Sequence, residues 1–151
     1  MGILFNERTK EFHLQGRDVS YIFSVLRNGQ LGHLYYGKKL KHRSSFQHFL
    51  RVETRGASAS VYEGELAFSL ETIKQEYPSY GTTDFREPAY QLLQQNGSRI
   101  TNFEYDNHKI YKGKKPLNGL PATYVEEESE ATTVEVELID KLLNASLILT
   151  Y

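Results

Sequence analysis

The chain has 151 residues, 39% of them hydrophobic and 25% charged, which suits one globular domain of ordinary solubility. A formal net charge of -1 leaves no cationic excess to neutralise phosphates, so no nucleic-acid partner is expected. Cysteine is absent, which excludes disulfide frameworks, thiol catalysis and thiolate metal sites.

The chain begins with only three apolar residues in a row, Ile3 to Phe5, too short for a signal-peptide core or a membrane span. Asn6 stands where a myristoylation signal needs Ser or Thr. A cytoplasmic protein without membrane contact is the expectation. Val19–Arg27 is rich in β-branched and aromatic residues and predicts a strand. Asn28-Gly29 is a strong turn dipeptide, and Leu31–Gly37 resumes as a second strand, giving a hairpin. The basic run Lys38–Arg43 reads as a solvated loop, given the balanced charge. Ser44–Gly64 is less regular. Within it, Arg55–Gly64 has small residues and no periodicity, as a flexible loop would. Glu65–Glu71 predicts a short strand.

The stretch from Gln75 to Gln91, QEYPSYGTTDFREPAYQ, has neither helical nor strand periodicity, yet it is rich in aromatics. Pro78 and Pro88 fix φ and restrict Tyr77 and Glu87 before them, while Gly81 permits a sharp bend. Such a stiff loop could present Tyr77, Tyr80 and Phe85 to a partner, or fold over its own domain end and plug the core. Asp84 and Arg86 could pair with each other. Ala89–Gln95 predicts another strand, closed by Asn96-Gly97. Ser98–Gly113 alternates in part, with a turn expected at Asp106-Asn107, and Lys114–Pro121 is a Pro/Gly loop. In TTVEVEL, Val134, Val136 and Leu138 face one way and Glu135 and Glu137 the other, the mark of a half-buried strand. After a turn at DKLLNA, SLILTY runs on as its partner. These short strands predict an all-β, antiparallel β-sandwich. The chain stops at Tyr151 inside an apolar strand, which suggests a piece of a longer polypeptide.

Signals of chemistry are sparse. No glycine-rich phosphate loop, HExxH pair or G-x-S-x-G elbow is present, so no cofactor and no metal are expected. Of the five histidines, His33 lies among apolar residues and reads as structural. Nineteen acids allow many carboxylate pairs for glycoside hydrolysis, but sequence spacing selects none. Eleven Tyr and eight Phe fit a β core, and equally a surface that stacks on sugars.

Four segments in order carry a resemblance: NERTKEFHLQ, SYIFSVLRNGQLGHLYYGKKL, FSLETIKQEYPSYGTTDFREPAYQ and NGSRITNFEYDNHKIYKGKKPLNGLPATYVE. The chain resembles the N-terminal region of bacterial family 36 glycoside hydrolases, the α-galactosidases. Residues from about Lys41 to Gly64 match least. The resemblance implies a β-supersandwich of the galactose-mutarotase-like kind, followed in the family by a (β/α)8 barrel and a small β-domain. Family members remove terminal α-linked galactose from melibiose and raffinose-type sugars with retention, using two aspartates of the barrel. A barrel needs at least about 200 residues, so residues 1–151 would be a single N-terminal sandwich domain without catalytic residues, inactive alone.

The resemblance further implies a homo-oligomer, a tetramer in many bacterial members, with this domain docked near a neighbour's active site. An acidic residue after an F-x-R-hydrophobic run then helps close the sugar pocket. Here the run is FLRVE, Phe49 to Glu53, making Glu53 the substrate-binding candidate. The family more often has Asp there, one methylene shorter. Tyr36 stands where Trp is usual and keeps an aromatic face. Tyr36, Tyr77, Tyr80, Phe85 and Arg86 are the interface or stacking candidates. Two other readings stay open: an autonomous carbohydrate-binding module and a purely structural assembly domain.

Overall fold

The computed structural model describes residues 2–54, 56–57 and 59–151. Among them, β1 (Gly2–Asn6), β2 (Glu11–Gln15), β3 (Val19–Val25) and β4 (Leu31–Lys38) form one antiparallel sheet in that order. The second sheet holds β5 (Glu104–Lys112), β6 (Thr132–Asp140) and β7 (Ala145–Thr150), again in chain order. The protein is an all-β antiparallel sandwich. The hairpin of β3 and β4 forms where the sequence predicts it. Gly29 turns it with φ of 82°, a value only glycine adopts freely.

Alternation places Phe12, Leu14, Tyr21 and Phe23 of the first sheet toward Val134, Val136 and Leu138 of β6. Phe12 and Phe23 stack at 4.7 Å between centroids and are wholly buried, each burial stabilising the fold by about 2–3 kcal/mol. Glu135 and Glu137 face outward as expected, where they accept hydrogen bonds from Tyr111 Oη and Asn107 Nδ2.

The first sheet is covered on its other face as well. Ile22 and Leu34 pack there against Phe46 from the segment after β4. Buried Glu11 anchors that segment by accepting from Ser45 Oγ and Phe46 N. His13 Nε2 meets Ser20 Oγ at 2.9 Å, and His13 Nδ1 meets His42 Nδ1 at 3.1 Å. Burial, then the neighbouring His42 and Lys39, hold the His13 pKa below its ordinary value, so a neutral imidazole fills this site. A short 3-10 turn, Gln47–Phe49, follows and leads the chain toward Glu53.

Three sequence expectations are corrected. Glu65–Glu71 is no strand: it runs through turns with no ladder partner, and Phe68, Ser69 and Leu70 are all buried. Phe68 and Leu70 instead pack with Leu26 and Ile73 in a second cluster. Ala89–Gln95 is no strand either; Leu92 and Leu93 are both exposed, and only Tyr90 packs against the core. Asp106-Asn107 does not turn the chain. β5 runs through, and a bulge between Tyr105 and Asn107 absorbs the irregularity. Arg55–Gly64 lies partly outside the described residues; its described part has turns and no strand. β1 and β2 carry no sequence prediction, though Ile3 and Phe5 pack against the core.

Candidate functional site

The loop from Gln75 to Gln91 is built around two carboxylates. Glu76 lies at its start with a side chain 4% exposed. Its Oε1 accepts from the hydroxyls of Tyr21 on β3 and Tyr151, the latter at 2.8 Å, and its Oε2 faces His33 Nδ1 at 3.3 Å. Backbone bonds add to this clasp: His33 N donates to Lys74 O and Glu76 N to Leu31 O. One carboxylate thus ties the loop, the first sheet and the last residue together. His33 is structural, as expected, through this contact.

Asp84 is the second carboxylate, with a side chain 2% exposed. Arg86 donates to it from Nε and Nη2, both at 2.8 Å, and from its backbone N–H. The same Nη2 reaches Leu70 O and Ile73 O, pinning the loop to the Phe68 cluster. Burial alone would raise the Asp84 pKa. The hydrogen bonds from Arg86 outweigh it and hold the carboxyl below its ordinary value.

Between these anchors, Gly81 N and O pair with Asp84 O and N across a two-residue turn. Its central residues, Thr82 and Thr83, have φ of 52° and 75°. That is the turn that tight hairpins usually build from Asn and Gly. A β-branched residue at positive φ costs on the order of 1–3 kcal/mol, so the turn stores strain. Its flanking residues, Tyr80 and Phe85, are brought edge to face at 5.7 Å and 80°.

The candidates separate into four places. Tyr80, Phe85 and Arg86 share one cleft of about 220 Å3. Tyr77 stacks on Tyr90 at 5.4 Å, and Tyr90 in turn meets Phe103 edge-on and Thr101 Oγ1 at 2.8 Å. Tyr90 thus plugs the core, one of the two readings the sequence left open, while Phe85 is 64% exposed and Tyr80 38%. Tyr36 stands 69% exposed on β4 with its ring edge-on to Tyr21. Glu53 is exposed and accepts from Arg51 Nε at 2.7 Å. No hydrogen bond, ion pair or ring contact among the described residues joins Glu53 or Tyr36 to the cleft. Sequence reasoning missed Glu76, Tyr21 and Tyr151, whose alliance spans distant parts of the chain. It also missed Glu87, Gln91 and Arg99, which line the cleft with Arg86.

Relatives are many. The α-galactosidase AgaA of Geobacillus stearothermophilus is 46% identical over 151 residues, which are all of this chain and 21% of that protein. The crystal structure of an α-galactosidase from Lactobacillus brevis matches at a TM-score of 0.91 and 40% identity, over 99% of this chain and 20% of that one. A substituted AgaA, solved in complex with raffinose, matches at 0.86 and 45% identity, over 94% and 20%. The chain thus spans about a fifth of the length of these relatives. The family profile described as the glycosyl hydrolase family 36 N-terminal domain matches residues 29–151. Over nearly its whole length, then, the chain belongs to the N-terminal domain family of the family 36 glycosyl hydrolases, the domain carried by α-galactosidases.

Proposed function

We propose that this chain is the non-catalytic N-terminal domain of an α-galactosidase acting on terminal α-linked galactose of the melibiose and raffinose type. The observation that carries this reading is the match of the whole chain to one fifth of an α-galactosidase at 46% identity. The fold supports it: regular structure among the described residues is strand, apart from two 3-10 turns, and 151 residues are too few for a barrel of at least about 200. Among the described residues no helix is long and apolar enough to cross a membrane. The domain supports a homo-oligomer in the cytoplasm, and Glu53 closes a neighbouring subunit's sugar pocket. An exposed carboxylate suits that role, because it accepts strong hydrogen bonds from sugar hydroxyls once a partner covers it.

Two measurements test this. The pure chain should give no turnover of a nitrophenyl α-galactoside, and measurable turnover refutes a non-catalytic domain. In the longer enzyme, Glu53→Ala should lower kcat/KM for raffinose about tenfold or more, as loss of a charged hydrogen bond does. Unchanged kinetics with an intact oligomer would leave the domain a role in assembly only.

A further inference from the structure

The cleft beside the strained turn has chemistry of its own. Tyr80 and Phe85 meet at nearly a right angle and form an aromatic corner with both rings open to solvent. Glu87, Gln91 and Arg99 line the same cleft, and none of them has a hydrogen-bond or ion-pair partner among the described residues. Arg86 is held in place by buried Asp84, which takes its Nε and Nη2. The corner is also preorganised. Strain at Thr82 and Thr83 is retained where a relaxed turn would splay Tyr80 from Phe85, and strain of this kind gathers at functional sites. Gly81 is packed so closely on Ile100 that an added Cβ would lie 2.8 Å from Ile100 Cγ2, so the turn cannot shift that way.

We propose that this cleft binds a single neutral pyranose ring, at a site separate from Glu53. A pyranose has an apolar face of C–H groups that lies on an aromatic ring, and hydroxyls that both donate and accept. Guanidinium donors, an amide and a carboxylate acceptor around an aromatic corner satisfy both properties. The Glu87 carboxylate opposes an anion, which sets a sugar above a phosphate despite the two arginines. A volume of about 220 Å3 falls below the roughly 300–1,000 Å3 of pockets that enclose larger ligands, so it suits one ring. The proposal rests on the cleft alone and stands whether or not Glu53 touches substrate.

Titration of the isotope-labelled 151-residue chain with galactose and with raffinose tests it by NMR. Saturable shifts centred on Tyr80, Phe85, Gln91 and Arg99 are expected, with Kd on the order of 1–10 mM for so open a site. Phe85→Ala and Arg99→Ala should each weaken binding about tenfold, while Glu53→Ala should leave it unchanged. Both cleft positions are exposed, so the variants should keep the dispersed spectrum of the parent, which the same experiment reads. No saturable shift at these residues overturns the proposal. So does a response to inorganic phosphate with none to sugar, or sugar binding that Glu53→Ala abolishes and Phe85→Ala leaves intact.

Discussion

Replacing Glu76 with alanine lowers the unfolding free energy by about 3–4 kcal/mol, measured by urea denaturation. The cost has a definite origin. Tyr21 Oη, Tyr151 Oη and His33 Nδ1 converge on one buried carboxylate, and deleting it leaves three donors without an acceptor. Each hydrogen bond to a charged group contributes about 1.5–3 kcal/mol, but the three share one acceptor and are not additive. Glu76→Gln keeps an oxygen for the tyrosines and sets an amide N–H against His33, so its loss should be about half as large. An alanine variant as stable as the parent would refute the clasp.

The same clasp sets an alkaline limit. Burial, together with the Glu76 carboxylate, pushes the pKa values of Tyr21 and Tyr151 above the ordinary tyrosine value. Folded-state values raised above the unfolded one, near 10, mean that the stabilisation is complete below about pH 10. It is lost as pH rises beyond that, because the unfolded chain then releases protons the folded one keeps. The slope should approach about 1.4 kcal/mol per pH unit for each tyrosine, and Tyr151→Phe should remove its share.

Arg86→Ala should cost about 2–3 kcal/mol, a value reduced from that of a fully buried pair because the Arg86 side chain is half exposed. The substitution removes the charged partner of buried Asp84, which keeps only Gln75 Nε2 and the backbone N–H of residue 86 as donors, and it leaves Leu70 O and Ile73 O without this donor. Arg86→Lys should recover only part of the loss, since one ammonium cannot reproduce the planar fork. The acid limb offers a sharper readout. In the parent, the depressed Asp84 pKa gives stability that is present above about pH 4 and lost as pH falls through the folded value. Without the Arg86 side chain that pKa should rise, held down only by Gln75 and the backbone N–H. The variant's penalty should then shrink as pH falls, so the slope at this group flattens. An unchanged slope in the variant would show that Asp84 does not depend on Arg86.

Different parts of the molecule were legible in the sequence to different degrees, for physical reasons. β6 could be read because its alternation leaves a period of two, β3 and β4 because β-branched and aromatic residues flank Asn28-Gly29, and Lys141–Asn144 marks the last turn. Glu65–Glu71 and Ala89–Gln95 misled because propensity was right and context was not: no neighbouring strand is there to pair with. The site divided the same way. Tyr80, Phe85 and Arg86 could be named from a stiff aromatic stretch, since prolines and a glycine speak locally. Glu76 could not, because its partners lie 55 and 75 residues away and a lone Glu in a loop looks solvated. Glu87, Gln91 and Arg99 gave no signal either, since what distinguishes them is having no hydrogen-bond or ion-pair partner among the described residues.

The order of strands within the sheets has a consequence for how the molecule forms and opens. Within each sheet every strand pairs with its neighbour in sequence, so each sheet is a meander whose loops are short apart from the connection from 113 to 131 between β5 and β6. The described residues of the connection from 39 to 103 supply no strand to either sheet and are held by side-chain clasps and turns. They should therefore order last and open first, as a unit distinct from the two meanders. Amide exchange would show this as slow exchange in β3 and β6 against faster exchange around Tyr80–Arg86; uniform protection would exclude it. The aromatic corner would then sit on the least tightly closed part of the chain, and a sugar bound there would slow its exchange without touching either sheet.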